Sequence, residues 1–275
     1  MTVPAEVREH WREARVSARN DGLVPALTLL SRALSPSTPP RGPRGHAVVP
    51  RELLVEYREF ADRGGYGERT GTSAPAEPDG HRPDSHQPDS HRPGPEAEPA
   101  DPLPGLAVLG PATTAQPLPG PDPDAWGAGL AWLRLGNSER LREACVAYLA
   151  TRKVEGTSLL LQQLVKGALA DALIEQLEIE GVLDYLTEDA EETGPDGCSP
   201  LAPALPLDPP ALARLQAQIT EVDRALLRLL GAYGFTAEGP GQAAYASELL
   251  ADVYCGWPGP AQHSENDRNT PEGTV

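Results

Sequence analysis

Four long stretches with apolar residues at helical spacing lie between residues 124 and 254, and they limit the fold more than any other feature of this sequence. Within each stretch, apolar residues recur every three or four positions, which places their side chains on one side of an α-helix. Four amphipathic helices of this length provide enough apolar surface for a common core. We therefore predict a mainly α protein in which residues 124–256 form an up-and-down four-helix bundle.

The bounds of the four predicted helices follow from where the apolar pattern starts and stops. They run from Asp124 to about Thr151, from about Ser158 to Leu186, from Pro209 to Gly231, and from about Gly241 to Tyr254. Asp208 is the predicted N-cap of the third helix, and an acidic and Pro-rich internal loop at 187–207 precedes it. Gly136 lies inside the first helix, where glycine usually costs stability, so we expect a neighbouring helix to pack closely against it. On the second helix, we expect an apolar stripe that includes Leu161, Leu164 and Val182 to face inward; on the fourth, the stripe includes Tyr245.

Residues 1–65 are predicted to form short helices. Apolar residues recur at helical spacing from Val3 to Ala18, and the pattern resumes after an interruption at Asp21–Gly22. A Pro-rich stretch at 35–50 ends it, and Pro50 is the expected first residue of another short helix, which Gly64–Gly65 closes. This part has too little apolar surface for a core of its own. We expect it to dock on the bundle, bind a partner or stay mobile.

Residues 66–123 are predicted to be a disordered linker, because their Pro and charged residues cannot bury enough apolar area to offset the loss of chain entropy. A five-residue near-repeat begins at His81, His86 and His91, and its histidines could capture a metal ion or simply be solvated parts of the linker. We predict no metal site, since a flexible chain has no preformed ligand geometry. Gly105–Gly110 is the one apolar stretch here and could form a strand that needs a sheet to join. The tail at 257–275 is predicted to be disordered.

Charge and cysteine content exclude several classes of function and favour a cytoplasmic protein. The formal net charge of −17 opposes binding to nucleic acid and to anionic membrane surfaces. No apolar run is long enough to span a bilayer, and the N-terminus lacks the apolar region of a secretory signal. Cys145, Cys198 and Cys255 are far apart and odd in number, which is typical of reduced thiols in the cytoplasm.

Two short motifs carry a resemblance to a known family. The segment Ala147–Leu183 has a Tyr, an Arg, a Gly, a Gln and a Leu-Ala-Asp triplet at characteristic intervals, and these are Tyr148, Arg152, Gly156, Gln163 and Leu169–Asp171. The second motif is a glycine turn with Gly231, Gly234 and Phe235. In both motifs, and in the place of Gly136, the chain resembles the C-terminal helical domain of the acyl-CoA dehydrogenase family over about 130 residues. The resemblance implies that domain's bundle fold.

The resemblance also implies a cofactor, FAD, which in the family lies against this bundle and partly between subunits. Arg152 matches the arginine that contacts the FAD diphosphate, and a guanidinium suits that bidentate role. Four further positions match residues near the flavin and complete the implied cofactor-binding set: Gln163, Arg228, Gly231 and Gly234. The chain departs from the family at Glu155, which replaces a Phe and whose carboxylate would repel a diphosphate.

No residue matches the catalytic base of the family, so the catalytic residues are unknown. The family places a Glu just beyond its last helix, where this chain reads VYCGWPGP, or early in the first helix of the bundle, near Trp126 here. Glu238 and Glu248 could approach a flavin edge, or they could be surface carboxylates. The Pro-rich residues before the bundle also cannot supply the family's N-terminal and middle domains intact.

Three functions therefore stay open. The chain could be a truncated or accessory flavoprotein subunit that pairs with itself or with a full-length acyl-CoA dehydrogenase-like subunit through the bundle and so completes a flavin site. It could instead be a non-catalytic scaffold that has lost FAD chemistry, or a divergent oxidoreductase with a different base. Fold alone does not decide among them. Of these, an accessory subunit of a hetero-oligomer is the function that we predict first.

Overall fold

The computed structural model describes residues 4–63, 103–110, 121–187, 209–236 and 239–255, and it is mainly helical. Its seven α-helices are α1 (Ala5–Asn20), α2 (Leu23–Leu34), α3 (Leu53–Arg63), α4 (Pro123–Thr151), α5 (Gln163–Thr187), α6 (Pro209–Leu230) and α7 (Gly241–Tyr254). Two 3-10 turns span Leu159–Leu161 and Gly231–Phe235. Four short strands are β1 (Ala47–Pro50), β2 (Leu106–Leu109), β3 (Lys153–Val154) and β4 (Thr157–Ser158).

Helix α4 lies at the centre of the fold. Its N-cap is Asp122, whose side chain accepts a hydrogen bond from the Asp124 backbone N–H, and Pro123 occupies the first helical position. Every residue from Trp126 to Glu139 is buried, because α1, α2, α5, α6 and α7 all pack around this helix. A helix that is buried on every side can be apolar all round, as this segment largely is.

The N-terminal helices dock on α4 and share its core. A Cβ at Gly136 would lie 2.2 Å from the backbone oxygen of Arg15 in α1, so the expected close packing at this glycine is confirmed. Trp11 is 1% exposed and, with Leu30 of α2, closes around Gly129, where a Cβ would lie 2.7 Å from both side chains. Of the three outcomes expected for residues 1–65, the structure shows docking for α1 and α2.

The predicted strand at 105–110 is confirmed as β2, and its partner is β1, which the sequence did not indicate. The two strands are antiparallel, and Pro50 pairs with Leu106. Pro50 therefore ends a strand; the prediction that it opens a helix is wrong, and α3 begins only at Leu53. Tyr254 at the end of α7 accepts a hydrogen bond from the Val48 backbone N–H and donates one to its carbonyl, which fixes β1 to the last helix.

Helix α5 begins five residues later than the predicted Ser158. Glu155 and Gly156 have φ angles of 50° and 81°, and they form the turn of a small hairpin made by β3 and β4. The Ser158 hydroxyl accepts a hydrogen bond from the Leu160 backbone N–H, which starts the 3-10 turn rather than the helix.

The inward stripe predicted for the second helix is only partly correct. Ala172, Ile179 and Leu183 are buried, as expected. Three other members are exposed, at fractions of 58%, 88% and 42%, and these are Leu161, Leu164 and Val182. Leu164 and Val182 are exposed because α5 packs against α4 and α6 on one side only, whereas Leu161 lies in the 3-10 turn that precedes the helix.

The last two helices largely follow the prediction. α6 begins at Pro209 as expected, while the predicted N-cap Asp208 lies outside the described residues. Gly231 follows α6 with a φ of 57°, a left-handed conformation that favours glycine, so the expected closure by this residue is confirmed. Tyr245 on α7 is 57% exposed, and the prediction that it faces inward is wrong. Among the described helices, none has the length and apolar character needed to cross a membrane.

Candidate functional site

Arg152 follows the last residue of α4 and is held by an aromatic ring. Its guanidinium carbon lies 5.5 Å from the ring centroid of Tyr148, one turn earlier on the same helix. Its backbone carbonyl accepts a hydrogen bond of 2.8 Å from Leu159 N–H, which fixes the hairpin against the helix end. The residue is exposed, and within the described part of the chain its guanidinium makes no ion pair and donates no hydrogen bond. The arrangement leaves an oriented cation with donors available for an anion.

The ring of Tyr148 connects Arg152 to the glycine turn. Tyr148 stacks on Tyr233 with ring centroids 4.2 Å apart and an interplanar angle of 4°. Tyr233 belongs to the 3-10 turn that also contains Gly231 and Gly234. Two motifs that lie about 80 residues apart in the sequence therefore meet in one place. We name the set Arg152, Tyr148 and Tyr233 the arginine–tyrosine stack.

Not all of the other sequence-predicted residues lie at this site. Gln163 is the first residue of α5, Arg228 lies in the last turn of α6, and both are exposed. Among the described residues, no hydrogen bond, ion pair or ring contact joins either side chain to the arginine–tyrosine stack. Gly234 is buried against Leu227 and Leu230, so it shapes the turn.

Among the described residues, the positions considered for a catalytic base offer no unpaired carboxylate. Glu248 on α7 forms an ion pair with Arg224 of α6, which also pairs with Glu221. Trp126 is buried, and its ring meets that of Tyr254 edge-on at 5.4 Å. Glu238 lies outside the described residues.

The residues considered for metal capture, His81, His86 and His91, also lie outside the described residues, as does Cys198. The residues that the structure describes contain no cluster of metal-ligating side chains.

A buried polar cluster around Arg134 is the site that sequence reasoning missed. Arg134 is 0% exposed in the middle of α4. Its Nε donates to the Ser247 hydroxyl at 3.0 Å, Nη1 donates to the Gln216 carbonyl at 3.0 Å, and Nη2 donates to the Thr220 hydroxyl at 2.8 Å. All these acceptors are neutral, and they belong to α6 and α7. Arg134 therefore ties three helices together inside the core.

Asp223 is a buried carboxylate whose charge acts on Arg134, yet no hydrogen bond joins the two side chains. It is 4% exposed, and neither carboxylate oxygen has a hydrogen-bond partner of ordinary geometry among the described residues. Burial raises the pKa of Asp223 to about 7, against the opposing effects of the nearby Ser138 hydroxyl and Arg134 charge. Burial likewise lowers the pKa of Arg134. Asp223 follows the buried Ile219 by four residues, so its place within the apolar stripe of α6 was the signal that could have revealed it.

The two described cysteines are poor nucleophiles. Burial raises the pKa of Cys145 to about 12 and that of Cys255 to about 11, so both are thiols at neutral pH. The Cys145 thiol donates to the Leu226 carbonyl at 3.3 Å. These groups therefore behave as parts of the core.

The chain is similar to known proteins at the level of solved structures. A scan against protein-family models finds no match, and a search of curated proteins finds none either. Among solved structures, the chain is similar to the crystal structure of a candidate acyl-CoA dehydrogenase from Mycobacterium smegmatis. The sequence identity is 16%, the TM-score is 0.38, and the alignment covers 47% of this chain and 32% of that chain. The chain thus spans about a third of the length of that structure.

Proposed function

We propose that this chain is an accessory helical subunit of the acyl-CoA dehydrogenase type, which contributes one side of a flavin site that a full-length partner subunit completes. In this proposal residues 124–256 act as an up-and-down bundle, and FAD lies against the end that carries the arginine–tyrosine stack. The observation that carries the proposal is the guanidinium of Arg152, which a ring orients and no described residue neutralises.

The stack fits the diphosphate of such a cofactor. A guanidinium donates two parallel N–H bonds to phosphate oxygens, and such charge-assisted bonds are stronger than neutral ones. Because Tyr148 already restricts the Arg152 side chain, less rotamer freedom is lost on binding. Exposed donors on Gln163 and Arg228 are further candidates for contacts with the cofactor or the partner. When bound, FAD would accept a hydride, and the residues of this chain would bind and orient the cofactor.

Two features indicate that a partner must complete the site. The proposal needs a general base, and the carboxylate of Glu248 is engaged with Arg224 while position 126 holds a buried tryptophan. Glu155 is exposed at the tip of the hairpin that follows Arg152, and its charge opposes binding of a diphosphate. A partner subunit that supplies the base and further cations would offset both.

The alternative is a non-catalytic helical protein that binds other subunits through its surface. The observation that favours it is the exposed apolar surface of α5, where Ile174 and Leu177 are 53% and 55% exposed. Such a surface is typical of an interface and needs no cofactor.

Titration of the full chain with FAD, followed by visible absorption and flavin fluorescence, tests the proposal with and without a full-length acyl-CoA dehydrogenase-like subunit from the same genome. We expect Arg152→Ala to weaken binding roughly 10- to 100-fold, since a charge-assisted hydrogen bond contributes about 1.5–3 kcal/mol. Arg214→Ala is the matched control, because Arg214 is an exposed arginine on α6 away from the stack. Glu155→Gln should tighten binding of FAD but not of riboflavin, which has no diphosphate.

Equal FAD affinity in the Arg152 and Arg214 variants would refute the role of Arg152. If neither the chain nor its mixture with the partner retains flavin, the flavin function is wrong. In that case the interaction protein is the remaining candidate.

A further inference from the structure

A cavity of about 330 Å³ lies between the middle of α4 and the start of α7. One wall comes from a single side of α4, where residues three and four positions apart are neighbours, and its members are Asn137, Arg140, Leu141 and Ala144. A second wall contains Pro240 and Ala243. The described lining has one cation, Arg140, and no carboxylate. Its volume falls within the range of small-molecule sites, which is about 300–1,000 Å³.

Asn137 is a buried polar side chain that the fold leaves without a partner. It is 2% exposed and lies in the middle of α4. Within the described part of the chain, its amide neither donates nor accepts a hydrogen bond. An amide that is withdrawn from water without a hydrogen bond destabilises a fold, so buried amides are nearly always paired. Because Asn137 lines the cavity, the missing partner has to come from a molecule inside it.

Arg140 is fixed through one of its nitrogens and keeps other donors available. Its Nη1 donates to the backbone carbonyls of Arg19 at 3.1 Å and of Asn20 at 2.7 Å, at the end of α1. Among the residues that the structure describes, Nε and Nη2 have no acceptor, and no carboxylate pairs with this guanidinium. Glu143, one turn further along α4, is paired with Arg19 instead. The result is a fixed cation whose remaining donors suit a carboxylate.

The start of α7 adds positive partial charge beside the same cavity. Pro240 occupies the N-cap position and gives no side-chain cap, and the first turn has no acidic residue. The backbone N–H groups of Gly241–Ala243 have no acceptor in the described part of the chain, and Ala244 is the first to donate, to the Pro240 carbonyl at 3.2 Å. Uncapped N–H groups at the start of a helix favour an anion.

We propose that this cavity binds a small organic monocarboxylate, with its carboxylate between Arg140, Asn137 and the start of α7. Arg140 and the Asn137 amide donate hydrogen bonds to the carboxylate oxygens, and the partial charge of the helix start stabilises the anion. The body of the ligand packs on the apolar part of the lining, which includes Leu141, Ala144 and Ala243. A neutral ligand would leave the cation without a counter-charge, and an inorganic anion would leave the apolar side chains without a contact.

The cavity adjoins the arginine–tyrosine stack through Tyr233, but the inference does not rest on the proposed flavin function. Arg152 does not line the cavity, so Arg152→Ala should bind a small carboxylate as the natural chain does. A titration with such a probe contains no flavin and no diphosphate. Failure of the carboxylate site is therefore distinguishable from failure of the flavin site.

Isothermal titration calorimetry of the full chain with benzoate tests the proposal. Benzyl alcohol is the neutral probe of similar size, and phosphate is the inorganic anion. We expect a dissociation constant of about 1 mM or lower for benzoate and at least roughly tenfold weaker binding of the other two probes. Arg140→Gln should weaken benzoate binding at least roughly tenfold, because charge-assisted hydrogen bonds are lost. Arg214→Gln makes the same change of charge at an exposed position on α6 and should leave the affinity unchanged.

Asn137→Leu separates a ligand-binding amide from a structural one. Leucine has nearly the same shape without the amide, so benzoate binding should weaken roughly tenfold or more. The thermal unfolding midpoint without ligand should stay the same or rise, because an unpaired polar group leaves the core. Gln176→Leu is the matched control, since this equally buried amide bonds to Ser138 and Arg142 and its loss should lower the midpoint.

Four results would overturn the proposal. The first is a chain that binds no benzoate, and the second is one that binds benzyl alcohol or phosphate as tightly as benzoate. The third is benzoate affinity that either Arg140→Gln or Asn137→Leu leaves unchanged. The fourth is an Asn137→Leu chain that loses stability as Gln176→Leu does, because the fold itself would then use the amide.

Discussion

The buried carboxylate of Asp223 should make the stability of this protein fall as the pH rises through the range from about 4 to about 7. Burial raises its pKa to about 7 from an ordinary value of 3.8, so the folded chain keeps a proton that the unfolded chain releases. The stabilisation from that proton is complete below pH 3.8, is lost as the pH rises, and is absent above pH 7. The charged form is unfavourable because burial removes the carboxylate from water, and among the described residues neither oxygen has a hydrogen-bond partner of ordinary geometry.

The size of the effect follows from the shift. One pKa unit corresponds to about 1.36 kcal/mol, so a shift from 3.8 to about 7 corresponds to about 4 kcal/mol over the whole window. Asp223→Asn removes the ionisation and nearly keeps the shape. We expect the variant to match the natural chain near pH 4 and to exceed its free energy of unfolding by about 3–4 kcal/mol at pH 8.

Urea denaturation of both proteins at several pH values between 4 and 8, followed by circular dichroism, measures this difference. Other carboxylates contribute equally to both proteins, so the quantity to compare is the change with pH in their difference. Asp124→Asn is the control, because Asp124 is an exposed aspartate in the first turn of α4. A difference between Asp223→Asn and the natural chain that stays constant from pH 5 to pH 8 would refute the reasoning.

Two further predictions concern packing contacts. Gly136→Ala places a methyl group 2.2 Å from the Arg15 backbone oxygen, so α1 must shift; we expect a loss of about 2–3 kcal/mol in the free energy of unfolding, measured by urea denaturation. A gain in stability, as expected of alanine in an open helix, would contradict the close packing of α1. Tyr254→Phe removes the hydroxyl that bonds both the N–H and the carbonyl of Val48, and it should cost about 1–3 kcal/mol. Its thermal unfolding midpoint would be compared with that of Tyr245→Phe, which alters an exposed tyrosine and should change little.

The helical part of the fold was predictable because the information is local. The bounds of α4, α6 and α7 follow from apolar period and from proline and glycine at their ends. The antiparallel partner of β2 was not predictable, because Ala47–Pro50 pairs with a strand more than fifty residues later and its own sequence reads as the end of a Pro-rich stretch. The late start of α5 depends on a turn at Glu155, a residue that rarely adopts a positive φ.

The candidate site was predictable only in pieces. The resemblance supplied Arg152 and the Gly231 turn separately, and periodicity could not show that Tyr148 stacks on Tyr233 and so joins them. The exposed outer side of α5 was misread for a related reason. An apolar residue such as Leu164 contributes the same helical periodicity to the sequence whether it is buried or exposed in the fold.

The pairing of β1 with β2 has a consequence for the length of the chain between them. The Arg51 backbone N–H donates to the Gly105 carbonyl at 2.9 Å, and the Arg51 side chain donates to the Leu106 carbonyl at 2.8 Å. These two hydrogen bonds join Arg51, at the end of β1, directly to the residues at the start of β2. Doubling the length of a flexible loop adds only about 0.6 kcal/mol to its closure cost. We predict that duplication or deletion within the sequence between residues 63 and 103 leaves this junction intact at little cost to the core, which would make that sequence a tolerant place for evolutionary insertion or for an inserted tag.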